Sequence, residues 1–160
     1  MQHDEIAAWF TKRMPDGWFP KPPTVGVDRE EILVVGTLAT PKGETSHVAA
    51  AKRFREDTRD QRVAIAEDAE HRFGRKVSWG VEIDGERYLF THIAVPVMTR
   101  LRFGERQVLD TLIDGGVARS RSEALAWCVR LVEQNQKEWI GELRDALEHV
   151  QRARAAGPSI

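Results

Sequence analysis

A chain of 160 residues, 41% hydrophobic and 31% charged, is long enough for one ordinary domain or two small ones that share an interface. Its 24 basic and 25 acidic side chains give a formal net charge of -1, which excludes the global positive field of many nucleic-acid binders and makes any polyanion site local. No run approaches the roughly 20 consecutive apolar residues of a membrane span, and the N-terminus shows no basic stretch leading into an apolar one, so a cytoplasmic protein without a membrane partner is expected.

Residues 1–23 combine Trp9, Phe10, Trp18 and Phe19 with MPDGW and PKPP, which predicts a short helix followed by a turn-rich arm. Four large aromatics belong against the body or against a second subunit rather than in water. The stretch TVGVDREEILVVGTL then reads as two apolar strands around a charged turn at Asp28 to Glu30, followed by a loop at ATPKGETS.

From Ser46 to Arg72 there is neither Pro nor Gly, and Ala51, Phe54, Thr58, Ile65, Ala69 and Phe73 recur at helical spacing. One long amphipathic helix is expected. Lys52, Arg53, Arg55, Arg59 and Arg62, mixed with Glu56, Asp57 and Asp60, read as its solvated face. In KVSWGVEIDGERYLFTHI, Asp84-Gly85 is a favoured two-residue hairpin turn. Pairing outward from it sets Val81 opposite Tyr88 and Trp79 opposite Phe90 on a core face, with Glu82 opposite Arg87 on the other. Residues 24–94 therefore read as strand-strand-helix-strand-strand, an antiparallel sheet with one helix.

The last third reads strand, helix, turn, helix. AVPVMTRLRF is an extended run, and GERQVLDTLIDGG puts Val108, Leu109, Leu112 and Ile113 on one helical face. Gly116 suits a helix C-terminus, Ser120 an N-cap, and Glu123 the reciprocal position of a capping box. The second helix carries Leu125, Cys128, Val129 and Val132 and has no breaker through Trp139, Leu143, Leu147 and Val150 until Gly157. Its apolar spacing suits pairing with a copy of itself or with a partner protein. Apolar neighbours in ALAWCVRLV mark Cys128 as a small buried residue rather than a nucleophile. Arg119 and Arg121 stand beside the first free N–H groups of this helix, a combination suited to a phosphate oxygen.

Residues 95–132, VPVMTRLRFGERQVLDTLIDGGVARSRSEALAWCVRLV, resemble a ribbon-helix-helix module, the fold of the small bacterial repressors related to Arc and MetJ. The resemblance covers about a quarter of the chain. It implies a homodimer in which the strand pairs with its twin and the ribbon enters the major groove, while the second helix's N-terminus anchors a backbone phosphate. Ser120, Arg121 and Ser122 would be that anchor, with Arg119 beside them. Alternation along the strand sets Val95, Val97, Thr99 and Leu101 against the helices and leaves Pro96, Met98, Arg100 and Arg102 outward. Arg100 and Arg102 have the reach for guanine edges or phosphates, whereas Pro96 and Met98 offer bases no side-chain hydrogen bond. The large domain ahead of the module departs from the simplest members of the family.

No Walker loop, dinucleotide-binding glycine pattern, GxSxG elbow or paired-cysteine motif is present. Asp68 and His71 match half of a carboxylate-bridged bundle site without a second copy, and read as a surface polar pair. His47, His92 and His149 lack metal-ligand spacing, and His92 at a hairpin end suits a buried, hydrogen-bonded residue. The expectation is an α+β protein with an aromatic N-terminal arm (1–23), an α+β domain (24–94), a ribbon-helix-helix-like module (95–132) and a C-terminal helix extension (133–160). It is expected to be a dimeric, non-enzymatic DNA-binding regulator without a cofactor. The alternative is a non-catalytic protein-interaction dimer acting through the C-terminal helix and the aromatic arm.

Overall fold

A computed structural model describes residues 2–39 and 46–157. The chain divides after Pro96 into two compact units. The class is α+β, as the residue pattern implies, with four strands in one sheet and six helices among the described residues.

The first unit runs α1 (Gln2–Arg13), β1 (Thr24–Val27), β2 (Glu31–Thr37), α2 (His47–Asp57), α3 (Arg59–Phe73), β3 (Lys76–Ile83) and β4 (Glu86–Leu89). Strand order is β1-β2-β3-β4. The β1–β2 hairpin is antiparallel, and the Asp28 carboxylate closes its turn by accepting the N–H groups of Glu30 and Glu31 at 2.8 and 2.6 Å. The β3–β4 hairpin turns on Asp84 (φ 49°) and Gly85 (φ 83°), two successive positive φ values that suit this dipeptide. Its register pairs Val81 with Tyr88 and Glu82 with Arg87, as the turn chemistry required, and the Phe90 N–H donates to the Trp79 carbonyl at 2.8 Å.

The sheet is mixed rather than antiparallel throughout, because β2 and β3 at its centre run parallel. The helical connection carries the chain back along the sheet before β3 begins, the crossover that adjacent parallel strands need. That connection is also two helices, not one. Thr58 leaves helical geometry (φ -101°, ψ 4°), and its hydroxyl donates to the Phe54 carbonyl at 2.6 Å, a back-bond that bends helices.

Arg62 corrects the expectation of a solvated face, for it is only 7% exposed. Its Nε donates to Thr58 Oγ1 at 3.0 Å, its Nη2 donates to the Arg55 carbonyl at 2.6 Å, and its guanidinium lies 4.9 Å from the Phe90 ring centroid. Burial, with Arg55 and Arg59 nearby, holds its pKa below the usual arginine value.

Two clusters fill this unit. One joins Ile6 and Phe10 of α1 to Val25, Ile32, Val34, Val77 and Trp79 of the sheet and to Ile65 and Ala69 of α3; the other joins Ala50 and Ala51 of α2 to Val81 and Ile83. The N-terminal aromatics belong to this body: Trp9 meets Phe10 and Phe73 edge-on, while Trp18 meets Phe54 and Trp79. A Cβ on Gly36 would lie 2.1 Å from Phe19 ring atoms, so the bare β2 backbone is what admits that ring.

The second unit contains an irregular segment outside any sheet among the described residues, extended where it meets α4 at Arg102 (φ -76°, ψ 170°), then α4 (Phe103–Asp114), α5 (Arg121–Asn135) and α6 (Lys137–Ala156). Its buried core is small, with Leu109, Ala118 and Ala124 supported by Leu101, Leu112, Leu125 and a half-buried Cys128. The expected continuous helix beyond Ser120 is interrupted at Gln136 (φ -122°, ψ 29°). Asn135 ends α5 from within, its side-chain amide donating to the Leu131 carbonyl at 2.8 Å, a local bond that competes with helix continuation.

Candidate nucleic-acid interface

The junction of α4 and α5 is built from cap chemistry. Gly116 takes a left-handed conformation (φ 75°), and its N–H and that of Val117 donate back to the Ile113 and Leu112 carbonyls at 3.0 and 2.9 Å. Ser120 is the N-cap of α5, with its hydroxyl accepting the Glu123 N–H at 3.2 Å. Glu123 reciprocates one residue earlier than a standard capping box, accepting the Arg119 N–H at 2.8 Å. Ser122 lies exposed in the first turn.

Both arginines of the junction meet carboxylates. Arg119 Nε donates to Glu123 at 3.2 Å, and Arg121 forms a bidentate pair with Asp110 of α4, both bonds at 2.7 Å. That pair fastens the first turn of α5 to α4 across eleven residues. Hydrogen bonds from Arg121 hold the Asp110 carboxyl below the ordinary aspartate range; the Arg119 backbone N–H, then its side chain, do the same for Glu123.

Carboxylates depressed in the folded state stabilise it fully above their unfolded pKa values, about 4, and lose that contribution as pH falls through the lower folded values. Acidification below about pH 4 is therefore expected to release Arg121 from Asp110. The Arg121 Nε–Hε NMR resonance reports it, moving on acidification to the position that Asp110→Asn already shows at neutral pH. Coincident neutral-pH spectra of wild type and Asp110→Asn would contradict the pairing.

Arg100 and Arg102 lie exposed on the extended segment, flanking Leu101, which packs on the Ala118 and Ala124 cluster. Those two alanines bracket Ser120, Arg121 and Ser122, so one small core holds both groups of expected site residues. Of the positions expected inward, Leu101 packs on the helices within a single chain but Val97 is 85% exposed; Met98, expected outward, is 97% exposed. The residue patterning missed Arg106, whose Nη1 donates to the Leu101 carbonyl at 2.6 Å and whose guanidinium lies 5.9 Å from the Phe103 ring centroid, fixing the end of the segment. Beside it, Glu105 accepts the Arg102 N–H at 2.6 Å.

Elsewhere, His47 is bridged between two carboxylates, Asp84 at 3.1 Å and Glu86 at 3.5 Å, and Glu86 also accepts from Tyr88. Asp68 pairs with Arg13 rather than with His71, and His92 is exposed rather than buried. No cluster of three or more metal-ligating side chains occurs among the described residues. No helix among them is long and apolar enough to cross a membrane. An open groove of about 400 Å³ between α5 and α6 is lined by Cys128, Val129, Val132, Glu133, Ile140 and Arg144.

Two family profiles match the chain, one described as "Rv1265-like protein, N-terminal domain" over residues 4–89, the other as "Mb1296 C-terminal domain" over residues 102–154. The uncharacterized proteins Mb1296 of Mycobacterium bovis and Rv1265 and MT1303 of Mycobacterium tuberculosis are each 57% identical over 159 residues, covering 96% of this chain and 70% of the relative. No solved structure matches.

Proposed function

We propose, for a chain that belongs to the Rv1265-like family, that it acts as a dimeric DNA-binding regulator through its second unit. The observation that carries this reading is the segment outside any sheet, with Val97 and Met98 almost fully exposed, that leads directly into two helices joined by a tight turn, the second capped by Ser120. A lone strand with both edges open is completed by its twin from a second copy, and the two-helix layer gains its missing cover in the same step.

In that dimer Arg100 and Arg102 project from the ribbon toward the groove or its phosphates. Ser120, Arg121 and Ser122 hold a backbone phosphate at the start of α5, with Arg119 at the margin. The Asp110 pair occupies two of the five N–H donors of Arg121. The rest remain for a phosphate oxygen, and Asp110 orients them.

The test is retention of fragmented genomic DNA by the purified full chain, alongside the Arg100→Ala/Arg102→Ala/Arg121→Ala variant. Loss of binding in the variant, with the slope of log affinity against log salt shallower by about 3, is expected if each arginine neutralises one phosphate. Enrichment of a few related sites identifies a transcriptional regulator; uniform retention identifies a nucleoid-associated binder. Equal binding by the variant, or no binding by the folded wild type, overturns the reading in favour of a non-catalytic protein-interaction dimer, which the groove between α5 and α6 supports.

A further inference from the structure

Arg55, Arg59 and Arg62 stand at the joint between α2 and α3. The Thr58 N–H donates to the Phe54 carbonyl at 3.1 Å and the Arg62 N–H to the Thr58 carbonyl at 2.9 Å, so the helical ladder runs up to the joint and resumes beyond it. At about 100° per residue, steps of four and three place the three arginines within roughly 60° of one another. On the same wheel Glu56, Asp57 and Asp60 fall roughly 100 to 200° from Arg55, so the carboxylates of this stretch face elsewhere.

The local pairing follows that segregation. Glu56 meets Lys52, and Asp60 meets Arg59 only at 3.9 Å between two largely exposed side chains, a contact of little energetic worth. Arg55 is exposed and has no ion-pair partner among the described residues.

Arg62 is the anchor of the group. It is 7% exposed, and its hydrogen bonds go to uncharged oxygens, Thr58 Oγ1 and the Arg55 carbonyl. Those two bonds fix the plane of the guanidinium through Nε and Nη2. Its Nη1 makes no bond among the described residues and is not sealed from water. Burial, then the like charges of Arg55 and Arg59, act against the charged form, with no carboxylate opposing them. The Phe90 face beneath it attracts the cation but supplies no countercharge. Buried charges are ordinarily paired, and this one is paired with nothing.

We propose that the Arg55, Arg59 and Arg62 guanidiniums form a binding site for a phosphate group, with Arg62 Nη1 as the fixed donor and the exposed Arg55 and Arg59 closing on the anion. Phosphate is selected by count. Three guanidiniums offer more N–H donors and more charge than the two oxygens and single charge of a carboxylate can use, whereas a phosphate group presents three or more oxygens and up to two charges. A phosphate ion or monoester and a nucleic-acid backbone share this chemistry. The site lies in the first unit and does not rest on the DNA reading of the second.

The experiment titrates the full chain carrying Arg100→Ala/Arg102→Ala/Arg121→Ala, so that the arginines of the second unit contribute nothing. Orthophosphate is added against chloride at matched ionic strength, and the arginine Nε–Hε NMR resonances and the thermal midpoint are followed. A saturable shift of the Arg62 resonance with a rise in midpoint is expected. Adding Arg55→Gln/Arg59→Gln, which leaves the packing of Arg62 intact, should weaken the apparent affinity at least about tenfold. Without phosphate at low salt, the same two substitutions should leave the midpoint unchanged or raise it, because they relieve like-charge repulsion around Arg62; a purely structural role would lower it. A second arm replaces orthophosphate with a short DNA duplex. Saturation by orthophosphate identifies a small phosphate as the ligand, and a response to the duplex alone identifies a backbone phosphate. A response to neither, a response that Arg55→Gln/Arg59→Gln leaves intact, or a lower phosphate-free midpoint in that variant overturns the proposal.

Discussion

Phe10→Ala is expected to lower the unfolding free energy of the first unit by about 3–5 kcal/mol, the range for emptying a buried phenylalanine site. Phe10 has no exposed surface and sits edge-on to Trp9 at 5.0 Å and to Trp79 at 6.0 Å, so it ties α1 to the sheet. Removing the ring leaves both indoles without that contact, and neither can follow without disturbing Phe73 or Trp18. Domains of this size lose roughly 4–8 °C of melting temperature per kcal/mol, so calorimetry should show a fall of more than about 12 °C. A shift of only a few degrees would mean that α1 lies outside the core. The variant thus distinguishes an aromatic arm that completes the fold from one that merely rests on it.

Arg62→Ala is expected to cost about 2–4 kcal/mol, because it strips packing from the joint between α2 and α3 and leaves the Arg55 carbonyl and Thr58 hydroxyl without their donor. Arg62→Met should cost less than Arg62→Ala, because it restores the packing of the stem although not the two donors. The two outcomes follow from opposing effects. The guanidinium is buried against Phe90 with arginines rather than a carboxylate as its charged neighbours, so its charge works against the folded state, whereas its aliphatic stem fills space. Methionine keeps the stem and discards the charge. Chemical denaturation of both variants reads the balance. If methionine proves as damaging as alanine, the hydrogen bonds to Arg55 and Thr58 hold the joint and packing is secondary; if both match the wild type, Arg62 is not buried.

What was legible in the residues was what short-range chemistry decides. Asp84-Gly85 specified its turn, and the turn specified the register of β3 and β4 without reference to anything distant. Ser120 and Gly116 marked the α4–α5 junction for the same reason. Alternation in β2 and β3 gave their faces but not their relative direction, since alternating side chains look the same in parallel and antiparallel pairs; only the path between the strands settles that.

Thr58 was read as one more position on an apolar face, because helical spacing does not reveal whether a hydroxyl turns back on its own helix. Its charge makes Arg62 read as solvated, although its burial depends on Phe90, the residue just past the end of β4. At the candidate site the patterning correctly found a capped helix with two arginines. It did not find that Asp110, eleven residues away, and Glu123 already hold them, since ion pairs between elements leave no periodic trace.

The joint at Thr58 also settles a question of proportion. Residues 47–73 as one straight rod would extend about 40 Å at 1.5 Å per residue. The eight residues of β3 span only about 26 Å. A single rod would overhang the sheet by several residues at one end or the other, carrying apolar side chains into water. Breaking the rod at Thr58 lets each part turn to its own patch, Val81 and Ile83 for α2 and Val77 and Trp79 for α3. The break at Thr58 thereby suits a crossover of this length to strands that are much shorter than it.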